Sequence, residues 1–397
     1  MDMLLASLIM VWGNLSATSP DVTFEQVAKV SVEAKSTAVA VAKPADPQAK
    51  EDPLAHLFPT NKVDPQKDAP EVKGIYLTAY SAGGAKKFDS LVKLLDDTAL
   101  NSMVIDVKDD NGYITWETGN EQLKAMDTTQ KLISDMPKII STMNEHQIYP
   151  IARIVVFKDS ILSKKKPELS FVHPDGTLWA NGKKESFVNP YAKEVWDYNI
   201  EVAKEAAKAG FKEIQFDYVR FPEGFETRAN TLKYTKDERS RIEVVSAFTK
   251  YAREQLEPLG VRVSVDIFGY AASVPAAEGI GQDFEKISAN VNVICPMIYP
   301  SHYTTGWFGA KVPDAAPYVT INGASKDTTK KLTHIESMGL KPVIRPWIQD
   351  FTATWVPGHI TYGKRELEEQ IRALKDNGVN EFLLWNANNR YTPDVNY

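Results

Sequence analysis

Glu213-Ile214-Gln215-Phe216-Asp217-Tyr218-Val219-Arg220-Phe221-Pro222 begins as a short apolar run and ends in a charged, aromatic corner stopped by proline. A helix-patterned segment, Asn189 to Gly210, runs into it. That order describes a buried parallel strand fed by a helix, with Asp217 and Arg220 delivered to its C-terminal end. An Asp at such a place has a plain structural reading, an ion pair or a loop cap, and the surroundings decide whether it does chemistry.

The same rhythm repeats from Lys73 onwards. Strand-like runs occur at Gly74 to Thr78, Ser102 to Val107, Pro150 to Val156, Glu213 to Val219, Arg262 to Phe268, Val291 to Tyr299, Pro342 to Ile348 and Glu381 to Trp385. Amphipathic segments lie between them, at Lys86 to Asp97, Thr129 to His146, Pro190 to Ala209, Thr235 to Leu256, Gln282 to Ala289, Asp327 to Met338 and Lys364 to Asn377. Gly210, Gly260, Gly339 and Gly378 sit where helices should end, and Asn189-Pro190 reads as a helix start. Strands alternating with helices imply a parallel sheet. Eight such units without a Gly-rich phosphate fingerprint favour an α/β protein of one closed (β/α)8 TIM barrel.

Composition sets outer bounds. The 397 residues are 43% hydrophobic and 25% charged, with a net charge of −6. That is globular material, and it carries no basic footprint for nucleic acid. The single cysteine, Cys295, excludes a disulfide within the chain, and the six scattered histidines give no zinc spacing. Neither a metal nor a cofactor is expected.

The N-terminal part differs from the rest. Leu4 to Trp12 is apolar but too short to span a membrane. With Ser16, Ala17, Thr18 and Ser19 after it, it reads as a secretory signal or anchor over residues 1–19, although Asp2 stands where a basic residue is usual. Residues 20–71, rich in Ala, Lys and Pro, read as a flexible linker, and the barrel occupies 72–397. The expectation is an exported protein, extracellular or at the cell surface, with membrane or cell-wall association through this N-terminus.

In a barrel of this kind functional groups gather where strands end. Asp106, Lys108, Asp109 and Asp110 follow strand two, Arg153 lies on strand three, and Asp217 and Arg220 close strand four. Asp266 ends strand five, and Tyr299 and His302 follow strand six. Trp347, Gln349 and Asp350 end strand seven, and Trp385 ends strand eight. Carboxylates with tryptophans suggest carbohydrate. Glycosidic cleavage needs one carboxylate as nucleophile or base and one carboxylic acid for the leaving oxygen. Adjacent strands are about 5 Å apart, so Asp217 and Asp266 suit a retaining separation of roughly 5–5.5 Å. Two acids so placed split their pKa values, while Arg153 or Arg220 holds one ionised. Asp106, Lys108, Arg153, Arg220, Tyr299, Trp347, Gln349 and Trp385 are the candidate substrate contacts. Asp109 and Asp110 beside Gly112 read as a turn. His173 and Trp179, in the long loop from Phe157 to Asn189, are either subsite residues or parts of a self-packed hairpin.

Val72-Lys73-Gly74-Ile75-Tyr76, Ile105-Asp106-Val107-Lys108-Asp109, Ile151-Ala152-Arg153-Ile154, Phe187-Val188-Asn189-Pro190, Ile214 to Pro222 and Ser264-Val265-Asp266 together resemble a bacterial glycoside hydrolase family, a TIM-barrel domain of unknown function. The resemblance covers Lys73 to Pro393. More distantly the chain is similar to α-amylase-like and α-galactosidase-like barrels. That similarity implies a nucleophilic Asp closing strand four, matched by Asp217. The amylase-like acid is a Glu on strand five, where this chain has Asp266. The glycosidase clan with Glu on strands four and seven fits less well, since strand seven here has no Glu. The expected activity is hydrolysis of a polysaccharide or oligosaccharide, such as a cell-envelope glycan. A glycan-binding barrel without catalysis and a metal-dependent deacetylase using Asp106, Asp109, His173 or His302 remain as alternatives. Oligomeric state is not legible.

Overall fold

The computed structural model describes residues 69–397, apart from 338 and 341. The segment read as a signal or anchor, 1–19, lies outside the described residues, as does the linker 20–71 except for its last three positions. Among the described residues no helix is long and apolar enough to cross a membrane.

Eight parallel strands close on themselves. They are β1 (Lys73–Leu77), β2 (Ser102–Lys108), β3 (Tyr149–Val155), β4 (Glu213–Asp217), β5 (Arg262–Phe268), β6 (Val293–Met297), β7 in two pieces (Val343–Ile344 and Trp347–Gln349) and β8 (Phe382–Trp385). Around the barrel the order is β1-β8-β7-β6-β5-β4-β3-β2, and β2 pairs back onto β1 with Gly74 opposite Ser102. The helices α1 (Ala85–Asp96), α2 (Met136–Glu145), α3 (Lys193–Ala209), α4 (Arg241–Leu256), α5 (Phe284–Ser288), α6 (Pro317–Ser337) and α7 (Lys364–Lys375) lie between successive strands. The chain is therefore a (β/α)8 barrel, as its alternating patterns predict.

Two layers of core follow from strand alternation. Val104, Ile151, Val293, Cys295, Trp347 and Leu383 fill the barrel interior. Ile105, Ile154, Ile214, Phe216 and Val265 face outward against the helices. Helix α3 buries Val195, Ile200, Val202 and Ala206 and stops at Gly210, where φ is +112°. A Cβ there would meet Ile140 at 2.8 Å, so position 210 needs glycine for both its backbone and its space.

Element boundaries depart from the expectations in four places. Thr129–Ile133 is a strand that pairs with Ile114–Trp116, and α2 begins only after the Asp135 cap accepts from the Lys138 amide. Helix α4 starts at Arg241 because Ser240 and Glu243 form a reciprocal capping box. Helix α6 starts ten residues before the expected Asp327, and its Gly323 leaves room for the Phe308 ring. Asn189-Pro190 forms a turn before α3 and does not cap it: the Asn189 carboxamide accepts from the Tyr191 amide, and the helix begins at Lys193.

Candidate active site

Strands β2 to β5 carry Asp106, Arg153, Asp217 and Asp266 toward one end of the barrel, and Arg153 joins two of the acids, Asp106 and Asp217. Its Nη1 donates to Asp106 Oδ1 at 2.7 Å, while Nε and Nη2 both donate to Asp217 Oδ2, at 3.0 and 2.6 Å. Tyr76, on β1, donates its hydroxyl to the other Asp106 oxygen at 2.5 Å. The guanidinium lies 5.6 Å from the Tyr76 ring centre and 5.5 Å from that of Trp385. Those two rings stack at 4.1 Å. Arg153 is thus held by charge, by hydrogen bonds and by aromatic faces, and it fixes Asp217 in turn.

Strand β4 ends at Asp217 because Tyr218 turns left-handed, at φ +52°. A bulky residue in that region is strained. The turn aims the Tyr218 amide at Asp217 Oδ1, 2.6 Å away. Every hydrogen bond to Asp217 therefore comes from a donor suited to a carboxylate.

Asp266 has the opposite surroundings. It is 1% exposed, and its one hydrogen bond comes from the Trp347 indole to Oδ1 at 2.8 Å. Burial pushes its carboxyl well above the usual range, and the negative charge of Asp217 adds to this. The Trp347 bond and Arg153 pull the other way without cancelling it. The pairing of Phe216 with Val265 puts Asp217 and Asp266 at one level on adjacent strands. Asp106 is pushed up to about 7 by burial, against the pull of Arg153. Both its oxygens are engaged, which makes it a holder of Arg153 and Tyr76.

The mouth also contains residues that the sequence reading did not assign. Asp110 was placed in a turn with Asp109. Asp109 does make that turn, accepting from the amides of Asn111, Gly112 and Tyr113. Asp110 points elsewhere, to Lys158 at 2.7 Å and Arg153 at 3.4 Å. Burial raises its carboxyl, but Arg153 and Lys158 outweigh that and hold it far below its ordinary value. Lys158 also covers the Tyr218 ring at 4.0 Å. Tyr76 gave no signal beyond its place in the family-like motif. Its strand-one position opposite Val104, on the face that Asp106 shares two residues further on, was the available clue.

Other candidates fall outside the cluster. Lys108 does not reach the mouth. A register shift between Asp106 and Lys108 breaks the alternation, so Lys108 aligns with outward-facing Ile154 and pairs with buried Asp159 at 2.7 Å. Gln349 is occupied by loops: it donates to Asp314 and the Phe351 carbonyl and accepts from the Ser301 amide. Arg220 lies between the Tyr218 and Phe268 rings and donates to the Phe221 carbonyl. Asp350 is tied to the backbone and hydroxyl of Thr392. Tyr299, by contrast, stays with the cluster: it is buried beside Trp385, with ring centres 6.5 Å apart, and burial together with the charges of Asp266 and Asp217 raises its hydroxyl pKa. His173 sits exposed on a hairpin in which Val172 bridges Leu178, and Trp179 packs into it against Phe171. His302 is exposed and bonds Ser301. Asp106, Asp109, His173 and His302 therefore form no common site. A cavity of about 440 Å³ lies at the other end of the barrel, against Arg262, Val343 and Glu381, and contains none of the mouth residues.

The fold and this carboxylate-lined mouth define a (β/α)8 barrel with an acidic active face. The chain belongs to the family described as "Putative glycosyl hydrolase domain", whose model matches residues 74–391. The glycoside hydrolase domain of PgaB (BpsB) from Bordetella bronchiseptica is similar in fold, with 12% identity over 81% of this chain and 95% of its own, at a TM-score of 0.56. A hypothetical protein from Ruminiclostridium thermocellum is 35% identical over 48% of this chain and 96% of its own, at a TM-score of 0.45. The α-galactosidase TtGalA from Thermus thermophilus shares 9% identity over 82% of this chain and 60% of its own, at a TM-score of 0.47. No curated protein matches.

Proposed function

We propose that the protein hydrolyses a glycosidic bond in a polysaccharide or cell-envelope glycan, with Asp217 as nucleophile and Asp266 as acid and base. The supporting observation is the contrast within the pair. Asp217 is surrounded by three hydrogen-bond donations, and Asp266 is buried with one. Asp266 gives its proton to the leaving oxygen as Asp217 bonds to the anomeric carbon. A water then attacks that carbon and returns a proton to Asp266 while the bond to Asp217 breaks. Arg153 keeps Asp217 aimed, and Trp385 and Tyr299 line the approach.

The decisive test is a glycan-library screen with the full chain and with Asp217→Asn. Release of reducing ends by the native protein alone supports the reading. Equal release by Asp217→Asn and Asp266→Asn overturns it. The grip of Arg153 on Asp217 favours a second reading, a barrel that binds glycan without cutting it. Saturable binding with no product from any glycan would select that one.

A further inference from the structure

Two groups of aromatic rings lead away from the carboxylates, and neither is needed for the cleavage step. The first follows the loop after β7. Trp385, Tyr299, Phe351 and Trp355 form a run with ring centres 6.5, 6.0 and 5.9 Å apart, the last two stacked at 18°. It begins at Trp385, whose ring lies against the Arg153 guanidinium. It ends at Trp355, which is half-buried.

The second lies at the end of β5. Phe268 stacks on Tyr270 at 5.7 Å and 26°, with the Arg220 guanidinium 4.6 Å from the Phe268 ring centre. Tyr270 is 37% exposed, unusual for a large ring among the described residues. It belongs to the short helical turn Gly269–Ala272, three residues past Asp266 in the chain, at the edge of the mouth. Phe351 and Trp355 follow β7, and Phe268 and Tyr270 stand at the end of β5, so β6 lies between these two pairs around the barrel.

Flat aromatic faces with a water-exposed edge suit the C–H faces of sugar rings, which are apolar above and below and hydroxylated around the rim. A platform on one side of the acids would hold only a chain end. Two platforms at separate strand ends hold a chain at two points, which leaves a linkage between them.

We infer that Trp355 with Phe351, and Tyr270 with Phe268, are two sugar-binding platforms that draw a glycan chain across the mouth, so that the carboxylates face an internal linkage. This rests on the glycan reading of the site and extends it to the substrate's length and the position of the cut.

Binding and cutting are tested separately. The full chain carrying Asp217→Asn is titrated by calorimetry with cello-, chito- and malto-oligosaccharides, from disaccharide to hexasaccharide. The expected result is affinity that rises with chain length in one series. Adding Trp355→Ala or Tyr270→Ala should each lower hexasaccharide affinity about tenfold, a change of about 1.4 kcal/mol, and leave disaccharide affinity unchanged. Tyr270→Ala is a surface change, so the test survives if Trp355→Ala fails to fold. Equal affinity for disaccharide and hexasaccharide, binding in no series, or no loss in Tyr270→Ala would overturn the inference. Native protein is then given end-labelled hexasaccharide. Fragments of intermediate length are expected, and release of single sugars from one end overturns it. Length-dependent binding without any cutting leaves the platforms standing and refutes the hydrolase reading.

Discussion

Both ends of the barrel bury acids against arginines, yet the two clusters are built differently. At the end where the strands begin, Glu213 pairs with Arg345 at 2.7 Å and faces Arg262 at 3.8 Å, and Arg345 also takes Glu381 at 2.7 Å. Two acids meet two arginines. Burial raises the Glu213 carboxyl, but Arg345 and Arg262 outweigh it and hold it below its ordinary value. At the mouth, Asp106, Asp110, Asp217 and Asp266 share only Arg153 and Lys158. The surplus of acid drives pKa values apart, with Asp110 down and Asp266 up. Balanced charge locks a structure, whereas unbalanced charge leaves a proton available for chemistry.

The sharpest way to break that comparison is to neutralise one acid at each end. Asp217→Asn should abolish turnover, and Asp266→Asn should lower kcat by roughly 100- to 10,000-fold. Asp266→Asn should also raise Tm at neutral pH. A carboxyl whose folded pKa is raised favours folding below its unfolded pKa, and that contribution is lost as pH rises through the folded value. At pH 7 the native protein has lost some of it, and the amide has not. A thermal melt that falls under this substitution contradicts the contrast.

Glu213→Gln should behave in the reverse way. It leaves Arg345 and Arg262 buried with one fewer anion and should cost about 3–5 kcal/mol, while kcat per folded molecule stays the same. The pH dependence has a sign too. A carboxyl with a depressed folded pKa stabilises the fold above its unfolded pKa, about 4.3, and that contribution is lost as pH falls through the folded value. Denaturant titrations from pH 7 down to pH 3 should show a steeper acid loss in the native protein than in Glu213→Gln. Equal slopes would mean that the network does not carry charge as drawn.

Arg153→Lys tests the mouth alone. A lysine cannot keep one donor on Asp106 and two on Asp217, so the nucleophile loses its aim. A drop in kcat of roughly 100-fold, with a small change in KM, is the expected outcome of steady-state kinetics.

How much of this was legible in sequence depends on range. The strand–helix alternation is local chemistry, and it located all eight strands. The four glycines at expected helix ends all have positive φ, because left-handed backbone leaves a residue-type signal. Asp217, Asp266 and Arg153 could be placed at one mouth from sequence because a barrel turns strand ends into neighbours. Lys108 was misplaced because a bulge after Asp106 leaves no mark in residue type, and one slip reverses every side chain beyond it. Asp110 was missed because Asp-Asp-Asn-Gly is ordinary turn chemistry, and only tertiary structure shows that one Asp makes the turn while the other meets Lys158. Gln349 was misassigned because its partners, Asp314 and Ser301, come from loops distant in the chain.

Trp347→Phe has the smallest expected effect and is the most specific to the acid. The indole N–H donates to Asp266 Oδ1 and favours its charged form, so removing the donor should raise the Asp266 pKa further. Asp266 must be protonated to act as the acid, which makes its ionisation the alkaline limb of the kcat/KM profile. That limb should therefore move to higher pH, by roughly one unit. Trp347 also packs against Tyr76 and Trp385, so Trp347→Phe will lose stability as well. A limb position does not depend on how much enzyme is folded, and this separates the two effects. A limb that moves down, or stays while the acid limb moves, would assign the essential acid to another carboxyl, and Asp106, pushed up to about 7, would be the first to replace by Asn.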